Sequence, residues 1–554
     1  MRGRGPSKTM MQALVAVVLL LAASPAAAQP KSDGRQLLDD GAVLVVRGEP
    51  EELERMAALA RSLGGDLSRV VNLASIGSAG ALGFDILARA GWPVVGLDPA
   101  RPFFVQVSPS SGGLRHARAV AAIGNAADVT AWSRRVPALD RMWIADGNRG
   151  DLGALLGIKT NAPEVARILT TKKIEVIGWS SVLKVYAFVR REGGFLVVDI
   201  FVPRGRGLDW TRDGAAVLPR LDLPKKSFLT RRGMASWTGK PGVALWTRPG
   251  GLFDLLAEPA DRACGDLAPA TRDSGLTDLA VSLRRSRTAL DLSLAFGLAE
   301  GSQLVPALAM VDDRLATTRL GDAVLAASLY TGTLDKLRAL PRDAAIRAGW
   351  TPLWHRAREC GRAIRTELEV FAWPELFAQW LDEAAALSPD AASLVASVRN
   401  IGIAAKTLSL EDIRGSLGFA EVSLVDRGKP AAEALLDALF GARRPGRRPQ
   451  RHTAWGRGAL RPYILGPRGL ATVGVALGER SLTWRLRRGR SGRGSNVLGS
   501  LAADGGALLR QIAPELPPRL GAIGKAAAPR VGSIGGELTL SRAALGLSLS
   551  IKIR

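Results

Sequence analysis

The clearest pattern along the chain is a strict alternation of apolar with small or polar residues, and it occurs twice. Residues Ala289-Leu290-Asp291-Leu292-Ser293-Leu294-Ala295-Phe296 and Ala544-Leu545-Gly546-Leu547-Ser548-Leu549-Ser550-Ile551 share five of eight positions. A period of two is that of a strand with one buried face. A shorter alternating run precedes each copy: Leu279, Val281 and Leu283 before the first, Leu538 and Leu540 before the second. The spacing predicts two antiparallel hairpins, each closing one half of a duplicated protein.

A second unit recurs upstream of each hairpin. Ala42 to Arg47 is a continuous apolar run suited to a strand buried on both faces. Pro50 and Glu51 then open a helix, because proline is tolerated in the first turn and acids favour the positive end of the dipole. Leu53, Met56, Ala60 and Leu63 give that helix one apolar stripe, which Gly64-Gly65 stops. Asp322 to Leu329 repeats the strand, and Leu334, Leu337 and Leu340 repeat the stripe. The opening unit recurs at an offset of 281 and the closing hairpin at 255, so the first half is longer by 26 residues. Two copies in the same order point to a pair of related α+β halves. Each half is expected to be an antiparallel or mixed sheet with helices on one face. The expected division is 1–28 leader, 29–39 polar lead-in, 40–297 first half, 298–319 connection and 320–554 second half.

Between these ends the pattern predicts a strand at Phe103 to Val107 and helical stretches at 116–124 and 127–137. It predicts hairpins at Lys184–Arg190 with Phe195–Val202 around Gly193-Gly194, and at Pro462–Leu465 with Ala471–Leu477. Val243 to Trp246 reads as a short strand. Residues 343–400 read as mostly helical, with Trp350, Trp354, Leu376, Phe377 and Trp380 as a core stripe and a break at Pro374.

Residues 1–28 have the form of an export signal. Arg2, Arg4 and Lys8 precede eleven apolar residues, Ala13 to Ala23, and Ala26-Ala27-Ala28 offers a cleavage site before Gln29. No later segment has eighteen uncharged apolar residues, so no helix is expected to span a bilayer. The expected location is periplasmic or extracellular.

The chain carries 75 Lys and Arg against 51 Asp and Glu, a net charge of +24. That excess favours anionic partners: lipid head groups, envelope polysaccharide or nucleic acid. Nucleic acid conflicts with an exported location. Most of the charge is spread along the chain, but arginines cluster in an Arg/Pro-rich loop at 441–458, with Arg443, Arg444, Arg447, Arg448 and Arg451, and again at Arg485, Arg487 and Arg488. Guanidinium groups donate paired hydrogen bonds to phosphate or carboxylate, so these eight are the expected anion-binding residues. Cys264 and Cys360 are the two cysteines. In an oxidising compartment such a pair tends to cross-link, here closing a loop of about one hundred residues worth roughly 4–5 kcal/mol.

Positive signals for catalysis are missing. His116, His355 and His452 are scattered and have no metal-ligand spacing, and no G-x-S-x-G elbow occurs. Gly239-Lys240 and Gly524-Lys525 lack the rest of a phosphate loop. Asp146, Asn148 and Asp151 lie in a turn without the glutamate of a calcium loop. No metal or cofactor is expected.

The strand Ala42–Val46 with Ala323–Ala327, the segments Gly83-Phe84-Asp85 and Gly96–Pro102, and the two closing hairpins together resemble uncharacterised secreted bacterial proteins with a duplicated α+β unit. The resemblance implies no activity and no site residue. The leading expectation is an exported, non-enzymatic envelope protein whose amphipathic strands take up a lipid or another anionic component. The alternatives are a hydrolase with a hidden acid/base pair and an outer-membrane-associated structural protein. The helices at 51–63 and 343–400 speak against a barrel.

Overall fold

The structure is a computed structural model. It describes residues 34–63, 65–111, 114–145, 150–158, 162–203, 208–224, 242–251, 267–286, 288–299, 324–330, 344–363, 389–405, 417–424, 460–465, 472–477, 483–486, 497–516, 518–540 and 544–553, with a few single positions between 338 and 407. The chain is α+β and divides into two compact units: Met1–Leu256 with Ala280–Arg285, and Ala257–Leu279 with Ser286–Arg554.

In the first unit the described strands are β1 (Leu44–Gly48), β2 (Phe103–Ser111), β3 (Leu114–Ala122), β4 (Arg141–Ile144), β5 (Val176–Ser180), β6 (Val185–Glu192), β7 (Phe195–Pro203) and β8 (Val243–Thr247). They pair antiparallel in the order β8-β1-β2-β3-β7-β6-β5-β4. The apolar run at Ala42–Arg47 therefore sits inside the sheet, between β2 and β8, as expected. The β6–β7 hairpin also falls where the pattern places it. Gly193 and Gly194 both have positive φ, 55° and 84°, which is the backbone a two-residue hairpin turn demands.

Helices pack on the sheet, and in this unit both faces are covered. Helices Leu152–Leu156, Ala162–Thr171 and Trp210–Val217 bring Leu155, Leu169 and Val217 onto Ile177, Phe188 and Phe201. On the opposite face, helices Pro50–Leu63, Gly65–Leu82 and Ala126–Ser133 pack around Phe84, Trp92, Val189 and Leu196. The near-continuous apolar sequence of β6, Val-Tyr-Ala-Phe-Val, requires cover on both sides. A small apolar cavity of about 50 Å³ lies between Phe84, Trp92, Trp132 and the sheet residues Phe103, Ala119 and Val198.

One expected element differs. Residues 116–124 read as helical, yet this stretch runs as β3. Its Ala and Arg content favours helix locally, but pairing to β2 and β7 on both edges overrides that weak preference.

In the second unit the strands are β10 (Ala289–Leu298), β11 (Leu325–Tyr330), β12 (Val398–Ala405), β13 (Leu417–Leu424), β16 (Thr483–Leu486), β17 (Val497–Asp504), β18 (Val531–Leu540) and β19 (Ala544–Ile553); β9 (Leu276–Arg285) is divided between the two units after Leu279. Their order is β10-β19-β18-β17-β11-β12-β13-β16, antiparallel except for β13 with β16. A separate hairpin joins β14 (Leu460–Leu465) to β15 (Thr472–Leu477), as the pattern predicts. Helix Leu267–Asp273 packs on helix Ala344–Ala363, closely enough that a Cβ on Gly349 would lie 2.9 Å from the Asp273 carbonyl oxygen. Helical structure at 343–400 is described as Ala344–Ala363 and Pro389–Ser397, and β12 begins at Val398. Pro374 lies outside the described residues. So do residues 1–28.

Candidate functional site

Two features of the structure carry chemistry. The first is a group of buried polar side chains on one face of the first unit's sheet. Strand register assembles it. Ser108 on β2 opposes His116 on β3, and Gln106 opposes Arg118. Arg118 opposes Asp199 on β7, and Asp199 opposes Phe188 on β6. Because alternate residues share a face, Gln106, Ser108, His116, Arg118, Arg190 and Asp199 all project to the same side. All six are buried, and Asp199 is fully so.

Asp199 is the hub. The Arg118 Nε donates to its Oδ1 at 2.6 Å, and the His116 Nε2 lies 2.9 Å from the same oxygen. Arg190 Nη2 is 3.5 Å from Asp199 Oδ2. Arg118 uses its remaining donors on backbone carbonyls: Nη1 to Leu37 at 3.4 Å, and Nη2 to Asp222 at 3.1 Å and to Arg220. Arg190 Nη1 donates to the Leu221 carbonyl. Among the described residues, Arg190 Nε and Nη2 and Asp199 Oδ2 have no hydrogen-bond partner.

The electrostatics follow from that packing. Burial works against ionisation of Asp199, but the Arg118 guanidinium, the His116 hydrogen bond and Arg190 outweigh it and hold the carboxyl at about 2. Burial dominates at His116 and keeps the imidazole below its ordinary value, although Asp199 pulls the other way. Burial likewise draws the Arg190 guanidinium down. At neutral pH the group thus holds two guanidinium charges, one carboxylate and a neutral imidazole, leaving one positive charge uncompensated.

Ser108, His116 and Asp199 also form a linear relay. Ser108 Oγ is 3.3 Å from His116 Nδ1, and His116 Nε2 is 2.9 Å from Asp199 Oδ1. Those contacts join the three residue types of a hydrolytic triad, but with the imidazole nitrogens exchanged, since in the triad the serine meets Nε2 and the carboxylate Nδ1. The imidazole also stacks on Phe201 with ring centroids 4.8 Å apart. Ser108 is 2% exposed and also receives a hydrogen bond from Gln106 Nε2 at 3.3 Å. No described cavity is lined by Ser108, His116 or Asp199.

The second feature is the face formed by the two copies of the repeated stretch. β10 and β19 pair antiparallel, with Leu290 opposite Ile551, Leu292 opposite Leu549 and Leu294 opposite Leu547. This apolar face continues onto β18 through Ile534 and Leu538. Its side chains are only half-buried. The other side of the ladder is polar, with Ser550 Oγ donating to Asp291 Oδ1 at 2.6 Å. A groove of about 500 Å³ runs along that polar side past Ser293, Ser500, Glu537 and Ser548.

Of the residues expected to bind anions, Arg443, Arg444, Arg447, Arg448, Arg451, Arg487 and Arg488 lie outside the described residues. The backbone of Arg485 falls in β16, in register with Glu421 on β13. Cys264 also lies outside the described residues, while Cys360 belongs to helix Ala344–Ala363. The buried polar group was not anticipated. Its signal was a lone acid, Asp199, inside the apolar run Phe195–Val202, since a charge in a buried strand demands a partner. Among the described residues, no cluster of three His, Cys, Asp or Glu is placed to hold a metal ion. No helix there is long and apolar enough to cross a membrane.

No family model matches the chain, and no curated protein matches it. Among solved structures, the chain is similar to crystal form III of TP0453, with 11% identity and a TM-score of 0.25 over 52% of this chain and 91% of that chain. Crystal form IV of TP0453 gives 11% identity and a TM-score of 0.23 over 48% and 79%. A likeness at this level carries no argument about fold or activity.

Proposed function

We propose that the chain is an exported, non-enzymatic envelope protein that binds lipid on the apolar face of its second unit. The observation that carries this reading is the face made by Leu290, Leu292, Leu294, Leu547, Leu549 and Ile551, which is contiguous and only half-buried. Contiguous apolar surface left open to water is costly, and it marks binding sites in soluble proteins. The export-like leader supplies the compartment, and the basic excess suits an anionic head group. The test is organic extraction of the purified full chain followed by mass spectrometry. A co-purifying lipid is expected from the wild type and is expected to be lost in the double variant L292E/L549E. No lipid in the wild type, or equal lipid in both, would sink the reading.

The same reading includes an internal duplication. Its support is the shared local order, β8-β1-β2-β3 in one unit and β17-β11-β12-β13 in the other. The repeated sequences at β10 and β19 add to it.

A second reading, a hydrolase, is favoured by the Ser108–His116–Asp199 relay alone. Its burial weighs against it, since a substrate carbonyl needs room at the serine oxygen. Covalent labelling of Ser108 by a fluorophosphonate probe decides between the two. An unlabelled wild-type chain leaves the binding reading standing.

A further inference from the structure

The register of the second unit bears on what kind of lipid partner its apolar face fits, and the inference rests on the lipid reading above. Leu290, Ile551, Ile534, Ala503 and Leu325 fall in one row across β10, β19, β18, β17 and β11. The next row, through Leu292 and Leu549 to Leu501, is likewise without a polar side chain. On β10 the face runs on to Phe296. It therefore measures about 20 Å along the strands and about 19 Å across them. The opposite side of the same strands is polar, and Glu537, Ser548 and Ser550 there are exposed. Helix Gly505–Ile512 packs on β17 and β18, with Gly505 against Val531 and Ile534, and closes one end of the face.

Shape decides between one lipid and many. A site that holds a single small molecule encloses most of it in a cleft. Among the described residues, the two grooves along these strands, each of about 500 Å³, open on the polar side, where Gly535 and Ser550 line both. No described cavity opens on the apolar side, so the matching partner is a hydrocarbon surface. The backbone permits it: β19 is bonded to β10 and β18, and β18 to β19 and β17, so both strands are paired along both edges. Charge then selects the surface. From Val497 to the end the chain carries seven Lys and Arg against three acids. Of those acids, Asp504 caps helix Gly505–Ile512 and Glu537 faces the polar side. Arg530 directly precedes β18, Arg542 falls in the link between β18 and β19, and Lys552 stands near the end of β19. These cations bracket the apolar run and none interrupts it. Long basic side chains so placed reach head groups while the apolar residues enter the acyl boundary. A second copy of the chain would bring the same basic excess and be repelled, where an anionic leaflet is drawn in.

We propose that this face seats the chain on the surface of an anionic bilayer, with the leucines of β10 and β19 at the level of the first acyl carbons and the cations at the strand ends among the phosphates. The strands lie flat on one leaflet and do not cross it.

The experiment is flotation of the full chain, purified without detergent, with vesicles of phosphatidylcholine alone and of phosphatidylcholine with phosphatidylglycerol. Binding to the anionic vesicles is expected, at least about tenfold weaker on phosphatidylcholine alone and weakened by salt. R542E/K552E, which leaves the apolar face intact, is expected to lose most of that preference. Depth is read separately from single cysteines carrying a bimane label, with the labelled wild type as background. On vesicles with brominated acyl chains, L547C is expected to be quenched, and its neighbour S548C, on the reverse side, is not. No binding to anionic vesicles, a preference unchanged in R542E/K552E, or equal quenching at the two positions overturns the proposal. So does a concentration-dependent dimer that forms in place of vesicle binding, which assigns the face to a second copy. Lipid extracted with the purified chain but no vesicle binding leaves the lipid reading standing and removes this one.

Discussion

Ser293 and Ser548 sit directly opposite one another in the β10–β19 ladder, and each is the fifth residue of the same repeated eight-residue stretch. Because the strands run antiparallel, the two copies are related by a local two-fold axis through this pair. Ala289 meets Lys552 at one end, and Gly297 meets Ala544 at the other. Sequence reading places the copies as separate closing ribbons, and the β18–β19 ribbon is present. What sequence alone did not reveal is that the copies also bind each other.

That register has a direct check. Directly opposed residues in an antiparallel pair lie about 4.5–5.5 Å apart at Cα, within reach of a disulfide. The double variant S293C/S548C is expected to form a cross-link on oxidation, giving a new mobility on a non-reducing gel. Neither single variant should give it. If the single variants match the double, the pairing is wrong.

Removing the hub of the buried polar group should be severe. In Asp199→Asn, Arg118 and Arg190 stay buried without their carboxylate. Breaking a buried ion pair from one side typically costs about 3–5 kcal/mol. A large fall in the urea midpoint is expected, measured beside Asp291→Asn, which alters an acid at the surface of the β10–β19 ladder and should move the midpoint little.

Acid should act on the same group in two steps. Burial holds the folded His116 below 6.5, so below that pH the unfolded chain takes a proton that the folded chain refuses, and stability falls. Asp199, ordinarily near 3.8, stays ionised down to about 2 in the fold. Its contribution is complete above 3.8 and is lost as pH falls toward 2. Urea midpoints between pH 7 and 5 should therefore drop more steeply for the wild type than for H116F. Parallel slopes would remove His116 as the source.

The two cysteines give a further check. Helix Leu267–Asp273 begins three residues after Cys264 and packs on helix Ala344–Ala363, which contains Cys360. Thiol titration of the denatured, unreduced protein purified from an oxidising compartment is expected to find no free thiol. The reduced protein should give two. Two thiols before reduction would exclude the bond.

How legible was this molecule in its sequence? Strands whose apolar residues announce a face, such as β1, β6, β7 and β19, fall where the alternation or the continuous run places them. Helix Pro50–Leu63 follows from Pro50, Glu51 and the stop at Gly64-Gly65. β3 was illegible because its inward face carries His116 and Arg118, and polar residues on a buried face mimic a solvent-facing pattern. Their partner Asp199 lies 83 residues from His116. Only the strand order, with β7 returning beside β3, brings those charges together.

The place of β1 in its sheet also bears on how the chain is made. Leu44 is bonded on one side to β2 and on the other to Thr247 of β8, so a polypeptide emerging N-terminus first waits roughly two hundred residues for its second partner. During that wait the β1–β2–β3 ribbon offers an unfilled apolar edge to any passing strand. A nascent chain halted before residue 243 would be sticky by construction, and its safe passage falls to whatever chaperone or translocation machinery keeps it extended until β8 arrives.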